Sequence, residues 1–219
     1  MDLRDQLLAL LTDGPGTVQM RALLELGETQ LFGTVEGAAF AHAEAALGVL
    51  IGKPTEKTLR ELTLCGLPPE LLAREPVELA GYRWEPVSLS TGGGEGRGNA
   101  KRLSPAQWPL LPPELSASVA VAMERRAVFF EAVDGRPAAL AWAPLKSERW
   151  FDLHVETLPA FQRRGLARSV VQAVVAHERH EGRSPVWGAP ASNVAAVALG
   201  RSLGFVDCGQ ILWRATKRV

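Results

Sequence analysis

Hydrophobic and polar positions along this chain alternate with two different periods, and the switch between them is sharpest in the second half. Ala127 to Val133 is a run of strand-formers, Asp134-Gly135 is a hairpin turn signal, and Ala138 to Ala143 is the returning strand. Trp150 to Thr157 reads as one further strand. Leu166 to Glu181 then takes a helical period, with Leu166, Val170, Val171 and Val174 on the buried face. Pro185 to Gly188 is a short strand, and Asn193 to Leu203 is a second helix with Ser192 as its cap. Leu203-Gly204-Phe205 ends that helix, Gly204 being suited to the left-handed conformation, and Val206 to Ala215 closes as a strand. This order predicts a mixed α/β layer with one crossover connection starting after Thr157.

The first half is less regular. Arg4 to Leu11 is a short leucine-faced helix, stopped by Thr12-Asp13-Gly14-Pro15-Gly16, and Thr17 to Leu26 is a second helix ending near Gly27. Leu31 to Gly52 is alanine-rich and open between helix and strand, although Gly48 to Gly52 has the look of a short buried strand. Thr55 caps a helix that runs to Leu64, Pro68 to Leu72 suggests another turn of helix, and Gly81 to Ser90 is extended. Pro105 to Arg126 holds helical pieces broken by prolines, with Glu124-Arg125-Arg126 as a solvated helix end. The glycine-rich run Thr91 to Lys101 fits neither Gly-x-x-x-x-Gly-Lys-Ser/Thr nor Gly-x-Gly-x-x-Gly. It reads as a linker, which divides the chain into 1–98, a small mixed α/β domain, and 99–219.

Composition narrows the function classes. The 219 residues are 47% hydrophobic, enough for a sizeable core. Lys and Arg balance Asp and Glu at 24 each, so bulk charge gives no reason to expect nucleic acid or an anionic membrane as partner. No apolar run approaches the ~20 residues of a spanning helix. The N-terminal residues lack the layout of a secretion signal, and a cytoplasmic protein is expected. Cys65 and Cys208 are expected to be free thiols. His177 and His180 have metal-ligand spacing but no evident third ligand, so no metal is expected. Trp142, Trp150, Trp187 and Trp213 fall on strands or strand ends, as core or as an aromatic wall.

The chemistry concentrates between Val155 and Arg168. Gln162-Arg163-Arg164-Gly165-Leu166-Ala167 follows a strand and opens a helix, so several backbone N–H groups converge at the positive end of a helix dipole. Such a turn suits the phosphates of a nucleotide-like cofactor. Gly165 permits close approach, and Arg163, Arg164 and Arg168 add local positive charge.

These residues, with Asn193-Val194-Ala195-Ala196-Val197-Ala198-Leu199 and Leu203-Gly204-Phe205, resemble the acetyl-CoA-binding core of the GNAT superfamily of N-acetyltransferases. The resemblance covers roughly residues 100–219. It implies a mixed, mostly antiparallel sheet flanked by helices, with acetyl-CoA as cosubstrate. It implies that the amides of residues 163–168 grip the pyrophosphate, with Gln162, Leu166 and the small Ala167 among the cofactor-binding positions. The backbone of Val155 and Thr157 would pair with the pantetheine arm, and Asn193 would hydrogen-bond to it.

Acyl transfer to an amine needs a proton acceptor and a donor to the thioester oxygen. Alternation places Asp152, His154 and Glu156 on one face of a single strand, and these are the candidate proton acceptors. Glu131, on the hairpin, is a weaker one, and the Val155 N–H is the expected oxygen donor. The family often has Tyr after the Leu of the second motif; Gly200 stands there. The leading expectation is direct acetyl transfer to a small-molecule or protein amine. The rivals are a non-catalytic module that senses CoA and an interaction protein that has lost the cofactor. The first half is expected to shape the acceptor site or to mediate a homodimer.

Overall fold

The computed structural model of the chain describes residues 1–26, 29–42, 47–66, 68–119 and 127–217. The expected helix stop at Gly27 and the Glu124-Arg125-Arg126 run lie outside them. Among the described residues, no helix is long and apolar enough to cross a membrane.

Two short helices open the fold, α1 (Leu3–Leu10) and α2 (Val18–Glu25). The Asp2 carboxylate caps α1 by accepting from the Asp5 N–H at 2.9 Å. The alanine-rich segment resolves into strands β1 (Gln30–Thr34), β2 (Gly37–His42) and β3 (Leu47–Gly52). Small residues suit β2 because α3 (Glu56–Leu64) lies over it, capped by Thr55 as expected. The expected helical turn at Pro68 to Leu72 is instead strand β4 (Glu70–Ala73). Leu71, Leu72 and Ala73 are buried there between β3 and the last strand, and burial on both faces overrides the helix-start signal of the two prolines.

Next come β5 (Tyr82–Gly92), β6 (Lys101–Arg102), a 3-10 turn at Pro105–Leu110 and α4 (Pro113–Val119). The hairpin is β7 (Phe129–Val133) and β8 (Arg136–Trp142), turning on Asp134 and Gly135, both at positive φ. The strand expected from Trp150 to Thr157 is broken at Leu153 into β9 (Trp150–Asp152) and β10 (His154–Thr157). The chain ends with α5 (Leu166–His180), β11 (Ser184–Pro190), α6 (Val194–Ser202) and β12 (Phe205–Lys217).

One sheet runs β1-β2-β3-β4-β12-β5-β11-β9 and a second runs β10-β8-β7-β6. Among the described strands, β3–β4 and β9–β11 pair in parallel and the other pairs are antiparallel. On one face of the larger sheet, α1 and α2 bury Leu7, Leu23 and Leu24 against Phe40, Leu89, Val186 and Leu212. On the opposite face, α5 lays Val170, Val171, Val174 and Val175 against Phe151, Trp187 and Phe205. At roughly 1.5–3 kcal/mol per buried aliphatic side chain, those four valines anchor the helix that carries the expected phosphate turn.

The glycine-rich run is a docked strap. The Gln172 side chain donates to the Glu95 carbonyl at 2.7 Å, Arg179 donates to the Glu95 carboxylate at 3.0 Å, and the Asn99 N–H donates to Ser169 Oγ at 2.8 Å. Moreover β5, from residues 1–98, is hydrogen-bonded between β11 and β12, both from residues 99–219. The larger sheet therefore runs across the 98/99 seam.

Candidate functional site

The break at Leu153 creates the site. Asp152 ends β9 and stays in the larger sheet beside β11, whereas β10 leaves it to pair with β8. Two strand ends diverge, and β10 becomes the edge of the second sheet.

Which backbone groups face the opening follows from the ladder. The Leu158 N–H donates to the Ala138 carbonyl at 2.9 Å, in register with Thr157↔Ala139. Hydrogen-bonded and non-hydrogen-bonded pairs alternate in an antiparallel ladder, so Glu156 and His154 also bond to β8. The N–H and C=O groups of Val155 and Thr157 point outward, along the open edge. The Gln162 side chain takes up the Thr157 carbonyl at 3.3 Å. The Thr157 hydroxyl oxygen is buried with no hydrogen-bond partner among the described residues.

Past β10, a 3-10 turn at Pro159–Phe161 leads into the loop before α5. Arg163 has φ 60° and Gly165 has φ 81°, so the chain curls twice through the left-handed region and enters the helix uncapped by any side chain. Gln162, Arg163, Arg164, Gly165 and Arg168 are exposed, Leu166 and Ala167 half-buried. Among the described residues, no acceptor takes the N–H groups of residues 163–168. Orphan donors at a helix start, in solvent and at the positive end of the dipole, are chemically suited to an anion. The Arg164 guanidinium packs over the Phe161 ring at 5.2 Å, and Arg168 donates to the Ser202 carbonyl at 2.8 Å. Arg168 thus ties α5 to α6 as well as lending charge.

The three candidate proton acceptors do not share one strand. His154 Nε2 and Glu156 Oε1 stand 3.0 Å apart on β10, and the His154 ring lies 4.2 Å from the Trp142 ring, centroid to centroid. Asp152 faces α2 instead. Its carboxylate accepts from the Leu153 N–H at 3.0 Å. Burial pushes the Asp152 pKa up to about 6, outweighing the polar groups around it and the pull of His154.

Further polar groups, unforeseen from the sequence, lie on neighbouring strands. Arg214 donates to Glu85 at 2.7 Å and stands 3.7 Å from Glu70. Its hydrogen bond holds Glu85 below the usual carboxylate range, while burial raises Glu70 despite Arg214. Ser192 bonds to Glu85 at 3.2 Å and is not the cap of α6; that role falls to Asn193, whose Oδ1 accepts from the Ala196 N–H at 3.0 Å. The exposed Asn193 keeps its amide nitrogen for another acceptor. Glu131 accepts from the Ser169 hydroxyl at the start of α5. Glu85, between Trp84 and Pro86, and Arg214, between Trp213 and Ala215, were the visible signal for this cluster.

A further cleft lies between β1 and α3, lined by Leu31, Phe32, Thr58, Leu64 and Cys65. It holds none of the groups above. Cys65 and Cys208 are free thiols.

Residues 132–210 match the family model described as GNAT acetyltransferase. No curated protein matches the chain by sequence. Among solved structures, a GCN5-related N-acetyltransferase-like protein from Streptococcus suis superposes with a TM-score of 0.73 at 15% identity, over 99% of this chain and 100% of its own. A GNAT-family protein from Novosphingobium aromaticivorans gives 0.67 at 19% identity, over 94% and 100%. A GCN5-related N-acetyltransferase from Kribbella flavida gives 0.62 at 12% identity, over 92% and 93%. The shared fold therefore extends over the first half, which the family model leaves unmatched. The likeness to GNAT acetyltransferases in sequence thus rests on residues 132–210, and the likeness in fold on nearly the whole chain.

Proposed function

We propose that this chain transfers the acetyl group of acetyl-CoA to a primary amine within a ternary complex. The observation that carries the reading is the exposed turn at residues 163–168, whose amides have no acceptor among the described residues. A diphosphate fits such a turn in charge and in donor count. The outward backbone groups of Val155 and the orphaned Thr157 hydroxyl suit an amide-bearing arm laid along the β10 edge. The Asn193 amide nitrogen can donate to the same arm.

Acetyl-CoA would supply an activated acyl group, whose C–S bond breaks as the N–C bond to the amine forms. His154 is the group that accepts the amine proton, with Glu156 orienting its ring through the 3.0 Å contact and Trp142 holding its face. The outward Val155 N–H can donate to the acyl oxygen as charge develops there. With Gly200 at the usual tyrosine position, solvent protonates the leaving sulfur. Residues 1–98 contribute to the acceptor side, since α2 lies against β9. A cytoplasmic setting suits a CoA-dependent reaction.

Gly200 favours one second reading, a module that holds CoA without turnover. Titration calorimetry with acetyl-CoA, followed by thiol release over a panel of primary amines, separates the two. Binding together with amine-dependent release supports the transferase. Tight binding without release on any amine supports the sensor, and no binding overturns both.

A further inference from the structure

Ser169 is the residue at which the exposed turn becomes helix. Its N–H donates to the Gly165 carbonyl at 3.2 Å, whereas the amides of residues 163–168 have no acceptor among the described residues. Wherever Ser169 is held, the amides before it are held too. A helical serine commonly bonds back to its own helix or to water. This side chain instead reaches two other segments. Its hydroxyl donates to the Glu131 carboxylate on β7, and its oxygen accepts from the Asn99 N–H at 2.8 Å. A hydroxyl can do both at once, and alanine can do neither.

Asn99 ends the glycine-rich strap, and Gly98 shows how closely that strap lies on α5. A β-carbon on Gly98 would stand 2.0 Å from the Ser169 carbonyl oxygen, closer than non-bonded atoms approach. The φ of Gly98 lies outside the left-handed region, so contact and not conformation calls for glycine there. The strap is also the chain's passage between sheets. It leaves β5 of the larger sheet at Gly92 and enters β6 of the second sheet at Lys101. The candidate site opens between those two sheets.

We propose that Ser169 is a positioning residue for the cofactor: it locks the strap to the first turn of α5, so that CoA binding and strap docking stabilise each other. The inference rests on the reading of residues 163–168 as the CoA turn. Linkage makes the coupling reciprocal. A ligand that prefers the turn with the strap docked holds the strap down by the same factor that the strap adds to its affinity.

The test uses the full chain with CoA as ligand and reads the strap directly. Arg97 is exposed within it, so trypsin cuts between Arg97 and Gly98 whenever the strap lifts. In wild type, saturating CoA should slow that cut about tenfold beyond any slowing after Lys57 of α3, which reports stabilisation of the whole molecule. Ser169→Ala should bind CoA about tenfold more weakly by calorimetry, and CoA should then protect Arg97 no more than Lys57. A purely structural serine would lower the denaturation midpoint when replaced, yet leave affinity and protection as in wild type; that result overturns the proposal. The wild-type cut decides without any variant: if CoA protects Arg97 no more than Lys57, the coupling is absent. Protection of Arg97 without acetyl transfer to any amine counts against the transferase reading and leaves Ser169 in its role. A wild type that binds no CoA overturns both.

Discussion

The Trp187 indole nitrogen lies where Gly200 leaves room for it: a β-carbon on Gly200 would stand 2.7 Å from Nε1. Gly200 is buried in α6, and the indole also packs against Phe205, with ring centroids 5.3 Å apart. The tyrosine common at this position in the family is thus sterically excluded. Gly200→Ala gains about 1 kcal/mol of helix propensity but overpacks a rigid wall at a cost of roughly 1–3 kcal/mol. A net loss is expected, read as a lower denaturation midpoint; an unchanged or raised midpoint would show that the indole can move aside.

Gly165 presents the opposite case. No atom lies within 4 Å of a β-carbon built there, so the fold leaves space and only φ 81° resists a side chain. Gly165→Val should cost on the order of 1–3 kcal/mol of stability through strain. Its larger effect should fall on CoA affinity, more than tenfold, because the side chain stands over the exposed amides. Calorimetry with CoA beside a denaturation curve separates the two effects.

Asp152 makes stability depend on pH in an unusual direction. Its folded pKa of about 6 exceeds the ordinary 3.8, so the folded state holds the proton more tightly. Stability contributed by this group therefore falls as pH rises between about 4 and 6, and the full penalty, at most about 3 kcal/mol, persists above 6. Asp152→Asn should be more stable than wild type at pH 8 and should lose that advantage near pH 4. Thermal denaturation of both proteins across this range checks the sign. A gap that widens on acidification would contradict it.

His154→Ala should lower kcat for acetyl transfer by about 10²–10⁴ while leaving acetyl-CoA affinity within twofold. Glu156→Gln keeps the contact at 3.0 Å but removes the charge, and should fall between wild type and His154→Ala. Pre-steady-state thiol release with calorimetry tells the proton step from binding. Loss of affinity in both variants would instead mark the pair as part of the cofactor wall.

Periodicity carried much of the second half. The valine face of α5 and the Asp134-Gly135 turn were legible because each depends on neighbours within a few residues. The same holds for the left-handed Gly204 that ends α6, and for the donors before α5, since a strand-turn-helix sequence fixes where first-turn amides point. Long-range placement stayed hidden. Nothing near Leu153 announces that its strand splits between two sheets, which separates Asp152 from His154 and Glu156. Nothing near Pro68 announces a strand, because burial of Leu71 and Leu72 is supplied by partners far along the chain. The glycine-rich run looks like a spacer until Gln172 and Arg179 are seen gripping it.

The placement of β12 between β4 and β5 has a consequence for how the molecule comes into being. Until residues 205–217 arrive, β4 and β5 have a gap where their shared neighbour belongs, so the middle of the sheet closes last. Such a design favours slow, late assembly through distant contacts. During synthesis the half-built sheet exposes two unpaired edges, both open to pairing with other chains. A frameshift or clip near residue 204 would therefore be as damaging as a hole in the core, and aggregation in place of a trimmed but folded protein is its natural outcome.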